Sequence, residues 1–494
     1  MKFFATLCFA ITLFISSRAD DVPNCPGTIQ FDPPPNIANP IQYPFDSPTN
    51  YPADYSCSYQ VNVPQGYSAY IELYAIPVSN SSVEPLVQVV DFNQRVENFA
   101  FASHERFYFI APGGKIKLST QKTTVSFHFS VQWYSNFTST PDVYPNISAL
   151  ETQPFVIDHE FFRTYQVTAN SRVSIIAIPP TNEHYKGWFL TGLRSVLIFD
   201  GSNENSTCIG TAYQLLNGNR QYVSSGNKVT VIPLLPTAYN IEAQLMFQDF
   251  ENTKEIVEYR GIGCQGRCDP IVMDGSKAAS AFSTYSAFGF AEDCLVGVNG
   301  TGTLSVYYGS KTETKSNLIA TYDVSKIPPI FPQQLRGVVR TFVLTGGIAT
   351  VNIMHNTMEC RLLDNDVVEG FITSREYKTG LTLPYDKDWL VYGSSHVHNY
   401  TLSIKDVDLT QDKKIEIILT NNYTRVAEVT YNSTNLPKPD NVISGVGDMM
   451  EVKYYADYEA QKKGYYISYT ATIVKEACPS SIYFLILLVS LLLL

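Results

Sequence analysis

The chain has 494 residues, 45% of them hydrophobic and only 16% charged, so it is too long for one core and too apolar to be disordered. A formal charge of −11 without any basic run excludes an electrostatic surface for DNA, RNA or heparin. Tyr (33) and Phe (28) are abundant, which favours pleated sheets over helices.

The first element is an address. MKFFATLCFAITLFISSRA has one early basic residue, an apolar run from Phe3 to Phe14, and Ser17-Arg18-Ala19 as a small-x-small cleavage site. Residues 1–19 therefore read as a secretory signal peptide. Its removal takes away Lys2 and Arg18, moving the formal charge from −11 to −13, and also Cys8. The mature chain keeps Cys25, Cys57, Cys208, Cys264, Cys268, Cys294, Cys360 and Cys478, an even set suited to an oxidising compartment. Asn80, Asn136, Asn146, Asn205, Asn299, Asn399, Asn422 and Asn432 each open an N-x-S/T glycosylation acceptor.

Between the ends the chain is a series of short strand candidates. APGGKIKLST at Gly113, SSGNKVTVI at Gly226, TGGIATVNIM at Gly346 and ISGVGDMMEVKYY at Gly445 each read as a Gly turn launching an alternating strand. The steps of about one domain predict a repeated unit. A second β-rich run follows the first, second and fourth turns, but HNTMEC follows the third, so the third unit has the weakest support. Turn clusters between runs such as VSIIAIP, SVLIFD and KIEIILT argue for antiparallel sandwiches. SNFTSTPDVYPNIS, with two sequons and two prolines, reads as a linker. The predicted layout is domain 1 over 20–134, linker 135–149, domain 2 over 150–263, domain 3 over 264–360, domain 4 over 361–478 and an apolar tail over 479–494.

Cys25-Pro26, the run from Tyr51 to Cys57 (YPADYSC) and the run from Tyr59 to Tyr67 (YQVNVPQGY) resemble the opening of the CUB-like domains of nematode secreted proteins. That family is a divergent relative of the CUB β-sandwich. The likeness covers roughly Cys25 to Trp133, with more general CUB features downstream. It implies tandem antiparallel sandwiches of about 110 residues, an all-β chain and an association with epithelial surfaces and defence. Cysteine positions agree with such a division. Cys25–Cys57 and Cys268–Cys294 are the expected local bridges, with Cys208–Cys264 and Cys360–Cys478 completing the set, although eight cysteines allow 105 pairings.

No motif carries catalysis or a cofactor. Gly261-Ile262-Gly263-Cys264-Gln265-Gly266 matches a dinucleotide fingerprint, but Arg267-Cys268-Asp269-Pro270 forbids the helix that must follow. His396-Val397-His398 would place both rings on one face of a strand, and lone surface histidines are the better reading. Calcium-binding CUB domains resemble Y-D-x-L-x-V-x-D-G; here Asp200 keeps the second carboxylate, but Arg194 stands six residues upstream. Tyr43, Phe45 and Tyr51, beside prolines, either cover a sandwich edge or form a sugar- or lipid-contacting surface, and packing is the preferred reading.

The chain ends in IYFLILLVSLLLL. Thirteen helical residues span roughly 20 Å, short of the ~30 Å hydrocarbon core. The run suits a removed glycosylphosphatidylinositol (GPI) signal, a tail anchor and a plain secreted chain being the alternatives. The expectation is a non-enzymatic glycoprotein on the outer face of the plasma membrane, in raft-type lipid, or secreted. It would bind an unidentified extracellular protein or glycoconjugate in recognition or barrier defence, with no nucleic-acid partner. A structural coat component and, further off, an extracellular hydrolase are the rival readings.

Overall fold

The computed structural model describes residues 22–474, apart from 38, 46–48, 79–84, 136–140, 159–162, 181–186, 235–242, 287–291, 327–331, 356–359, 361–365, 380–386, 411, 439–440 and 457–462. The leader, Asn80, Asn136, Cys478 and the apolar tail lie outside the described residues. The chain is almost entirely β and divides into two compact units, 1–138 and 139–494.

The first unit is a two-sheet sandwich. Its strands are β1 (Thr28–Phe31), β2 (Ile41–Tyr43), β3 (Thr49–Tyr51), β4 (Ser56–Asn62) and β5 (Tyr67–Pro77). They continue as β6 (Leu86–Val90), β7 (Val96–Phe99), β8 (Ala102–Ile110), β9 (Gly113–Ser119) and β10 (Val125–Ser135). One sheet runs β1-β4-β9-β6-β7 and the other β2-β10-β5-β8, with β3 also on β10. Only β1 and β4 pair in parallel among the strands of this unit. Alternation in β4, β5 and β10 turns Tyr59, Ile71, Leu73, Phe127, Phe129 and Trp133 inward to one shared core. Tyr43 and Tyr51 join these rings, Tyr43 at 5.1 Å from Tyr59 and Tyr51 at 5.6 Å from Phe127 between centroids. Phe45 alone of the three Pro-flanked aromatics stays out, 85% exposed.

The same topology recurs twice in the second unit. The second sandwich comprises β11 (Asp142–Ile147), β12 (Phe155–Asp158), β13 (Tyr165–Ala169), β14 (Val173–Ile178) and β15 (Val196–Asp200). Its remaining strands are β16 (Thr207–Thr211), β17 (Tyr222–Val223), β18 (Lys228–Pro233) and β19 (Gln244–Asp249). The sheets are β11-β13-β18-β15-β16 and β12-β19-β14-β17, again with one parallel pair, β11 with β13. The third sandwich begins with β20 (Ile256–Gly261), β21 (Gly266–Arg267), β22 (Ile271–Asp274), β23 (Ala279–Tyr285) and β24 (Asp293–Gly300). It ends with β25 (Thr303–Tyr308), β26 (Leu318–Asp323), β27 (Gln333–Leu335), β28 (Val339–Thr345) and β29 (Ile348–His355). Its sheets, β20-β23-β28-β25-β26 and β21-β29-β24-β27 with β22 on β29, repeat the first unit strand for strand.

This repeat corrects the sequence layout. The predicted linker is cut short, because residues 142–147 form β11. The third sandwich is complete and starts at Ile256, before the expected boundary at 264. Gly113 and Gly226 precede equivalent strands, but Gly346 lies one strand later, between β28 and β29. HNTMEC follows it because β29 is already the last strand of its sandwich.

The second and third sandwiches share a core: Ile176, Ile178 and Met246 pack against Tyr259, Ala281, Tyr307 and Val343. β14 is therefore buried on both faces, which explains the unbroken apolar run VSIIAI. The fingerprint glycines serve this seam. A Cβ at Gly261 would collide with the Ala177 carbonyl, and one at Gly263 with the Pro179 carbonyl.

The C-terminal region departs from a two-sheet sandwich. β30 (Val367–Thr373), β31 (Lys387–Val407), β32 (Lys414–Asn421), β33 (Thr424–Asn432), β34 (Val442–Tyr455) and β35 (Tyr465–Ile473) form a single sheet ordered β30-β35-β31-β34-β32-β33. All pairs are antiparallel, and inward residues of all six strands meet in one core. Gly445, read as a turn, sits inside β34 opposite Tyr400.

Disulfides also differ from the expectation. Cys25 is bonded to Cys57, Cys264 to Cys268, and Cys294 to Cys360. The expected Cys268–Cys294 and Cys208–Cys264 bridges are replaced because Cys264 and Cys268 flank the two-residue strand β21, with Cα atoms 5.4 Å apart. β24 and β29 are ladder neighbours, so the chain leaving β29 brings Cys360 to Cys294 and not to Cys478. Cys208 is a buried thiol in β16, donating to the Gly210 carbonyl at 3.6 Å.

Candidate functional site: a groove on the C-terminal sheet

β26 is the edge strand of its sheet, and it faces β30, β31 and β35 across an open groove of about 530 Å³. One wall is Ile319 to Tyr322. The floor is Glu369, Gly370 and Phe371 of β30, Thr401 and Ser403 of β31, and Tyr466, Ser468 and Thr470 of β35. Register places these hydroxyls in rows, with Thr401 opposite Thr470 and Ser403 opposite Ser468. Phe371 and Tyr466 stack at 5.2 Å with planes 17° apart. Burial, with the nearby Tyr308, pushes the Tyr466 phenol up to about 12, so at neutral pH it is an uncharged donor and acceptor. The groove thus offers aromatic faces, aligned hydroxyls and one carboxylate, Glu369. Its lining holds no histidine, cysteine or lysine.

A buried ionic clamp fixes the groove's two sides. Arg336, 1% exposed, donates through both terminal nitrogens to Asp388 of β31 at 2.7 Å and through Nε to Glu292 at 3.0 Å. It also reaches the Thr373 carbonyl at 3.1 Å. Burial disfavours the charge on Asp388, but Arg336 overrides it and holds the carboxyl below its ordinary range. Neighbouring Asp293 points to a second arginine, Arg340, with His355 on the same carboxylate. Gln333 completes the joint by pairing its side-chain amide with the backbone of Phe371, accepting at 3.1 Å and donating at 2.8 Å.

The residues singled out from sequence lie elsewhere. Asp200 accepts the Ser225 backbone N–H at 2.9 Å on each oxygen, tying its turn to the next strand. Arg194 is buried in a 3-10 turn and stacks over Tyr213 at 4.3 Å. His398 is buried and His396 exposed, because the β31–β34 ladder shifts register between Gly393 and His398 and breaks the alternation. Among the described residues, no group of three or more His, Cys, Asp or Glu could hold a metal ion. The acceptors Asn146, Asn205, Asn299, Asn399 and Asn422 are exposed, and Asn432 is half-buried at the end of β33. Sequence reading missed the groove and clamp, because their residues are scattered from Glu292 to Thr470 without a motif.

Family models match three stretches of the chain. Residues 20–138 match the CUB-like domain, and residues 146–234 and 251–356 match two domains of unknown function (DUF7592 and DUF7591). The first match assigns the N-terminal sandwich to a class of domain that is generally non-catalytic and typically extracellular. No curated protein matches the chain. Among solved structures it is similar to the CUB1-EGF-CUB2 domain of human MASP-1/3, at 12% identity over 42% of this chain and 98% of that one, with a TM-score of 0.16. It is also similar to the CUB1-EGF-CUB2 domains of rat MASP-1, at 11% identity, 90% and 99% coverage and a TM-score of 0.17. The full extracellular region of zebrafish Gpr126/Adgrg6 follows, at 10% identity, 92% and 57% coverage and a TM-score of 0.18. Likeness at this level carries no argument about this chain. Among the described residues no helix is long and apolar enough to cross a membrane.

Proposed function

We propose that the chain is an extracellular glycoprotein, tethered by a GPI anchor, that recognises a protein or glycoconjugate without covalent change as part of surface defence. The observation that supports this reading is the groove: a preformed, rigidly backed concavity with hydrogen-bonding rows and aromatic faces but no nucleophile–base pair. Tethered display lets individually weak contacts add through avidity.

The test presents purified protein, monomeric and then clustered, to intact microbes, host cells and immobilised glycans. Clustered binding that falls at least tenfold in Thr321→Trp, which fills the groove from an exposed edge position, supports the reading. Binding unchanged by that substitution refutes the groove's role. Self-assembly into sheets with no ligand would favour a coat component instead. The anchor is tested separately: phosphatidylinositol-specific phospholipase C should release the protein from expressing cells, and full retention would reject it.

A further inference from the structure

Lys387 and Trp389 lie two residues apart on β31, so both point outward while Asp388 between them is held inward by Arg336. Trp389 is 52% exposed. The Lys387 ammonium sits 4.7 Å from the Trp389 ring centroid and 5.3 Å from that of Tyr455, its cross-strand neighbour. Lys453 approaches the same indole at 5.2 Å and Lys414 the same phenol at 4.4 Å. These two lysines are neutralised, Lys453 by Glu451 at 2.6 Å and Lys414 by Glu416 at 2.8 Å. Lys387 has no carboxylate partner among the described residues. A half-exposed indole beside a cation with no carboxylate partner among the described residues is therefore built into the clamped sheet of an acidic protein.

We propose that this platform binds a sugar residue bearing a single carboxylate. The C–H face of a pyranose ring covers the exposed part of Trp389, and its carboxylate accepts a charge-assisted hydrogen bond from Lys387. Lys414, Lys453, Glu416 and Glu451 ring the site with donors and acceptors for hydroxyls. A lipid surface fits poorly, since these neighbours are charged where membrane insertion needs an apolar rim. A polyanion fits poorly too, because two of the three cations already hold a carboxylate.

The experiment uses the full-length protein and beads carrying a glucuronide-terminated disaccharide or the matched glucoside. The glucuronide beads should retain the protein at least tenfold better than the glucoside beads, and 0.5 M salt should release it. Trp389→Ala and Lys387→Gln should each weaken retention at least tenfold. Lys387→Gln, at an exposed position, decides the matter if Trp389→Ala fails to fold. Equal retention of the two sugars, undiminished retention in Lys387→Gln, or no retention overturns the proposal.

Discussion

Replacing Arg336 with Met removes the cation that bridges two buried carboxylates. Asp388 would keep the Tyr465 hydroxyl at 3.3 Å, and Glu292 would keep Arg375 at 3.9 Å, but the two closer ion pairs made by Arg336 would go. Breaking a buried pair in this way costs about 3–5 kcal/mol, because a charge is left in an apolar setting. At about 1.4 kcal/mol per tenfold, local opening of β30 and β31 should become roughly 10²- to 10⁴-fold more frequent. Because the chain has several cores, one unfolding free energy is ill-defined, and native-state hydrogen exchange of Val367–Thr373 and Lys387–Val407 is the suitable assay. The pH dependence should reverse sign. In the native protein Asp388 is held below its ordinary value, so its stabilisation is present above the unfolded pKa of about 4 and is lost as pH falls through the folded one. Without Arg336, burial raises the Asp388 carboxyl, so the variant should lose stability as pH rises through that raised value. The gap from the native protein should therefore be smaller at pH 5 than at pH 7. A cost under about 1 kcal/mol at pH 7, or a gap independent of pH, would refute the clamp as the element that fixes the groove.

Three further outcomes test the architecture. Non-reducing peptide mapping should recover Cys294 joined to Cys360; a Cys268–Cys294 peptide would reject the third sandwich as drawn. Cys294→Ser should cost about 2–5 kcal/mol by opening that loop, read as a drop in folded yield and melting temperature. Gly263→Ala should lower the melting temperature of the second and third sandwiches together, since its Cβ meets the Pro179 backbone at their seam. Stability equal to the native protein would show that the seam is loose.

The β class and the sandwich pattern were legible because alternation in stretches such as SCSYQVN and VSFHFSVQWYS directly encodes one wet and one dry face. The repeat was legible only in part. Gly113 and Gly226 mark the same place, yet Gly226 has open space where a Cβ would go; Gly346 and Gly445 matched the pattern for other reasons. The last region misled most. β31 and β34 alternate like sandwich strands, and nothing local distinguishes a long strand within one sheet from strands in two. The groove stayed hidden because Thr, Ser and Tyr on an outward face look like ordinary solvent-facing residues until a neighbouring edge strand is placed opposite them.

In each sandwich the second sheet is opened by an early strand and closed by the final one: Ile41 pairs with Val131, Phe155 with Phe247, and Ile271 with Val351. Synthesis from the N-terminus therefore leaves each sheet with a bare hydrogen-bonding edge until nearly the whole repeat has been made. Such late, distant pairings are slow and leave β edges open to wrong partners. Three similar repeats in one chain offer many of them, since a waiting edge in one repeat matches the closing strand of the next. Folding yield should thus depend on how quickly each repeat is sealed before its successor emerges, and a pause in translation after residue 135 should help the first repeat close on its own strand.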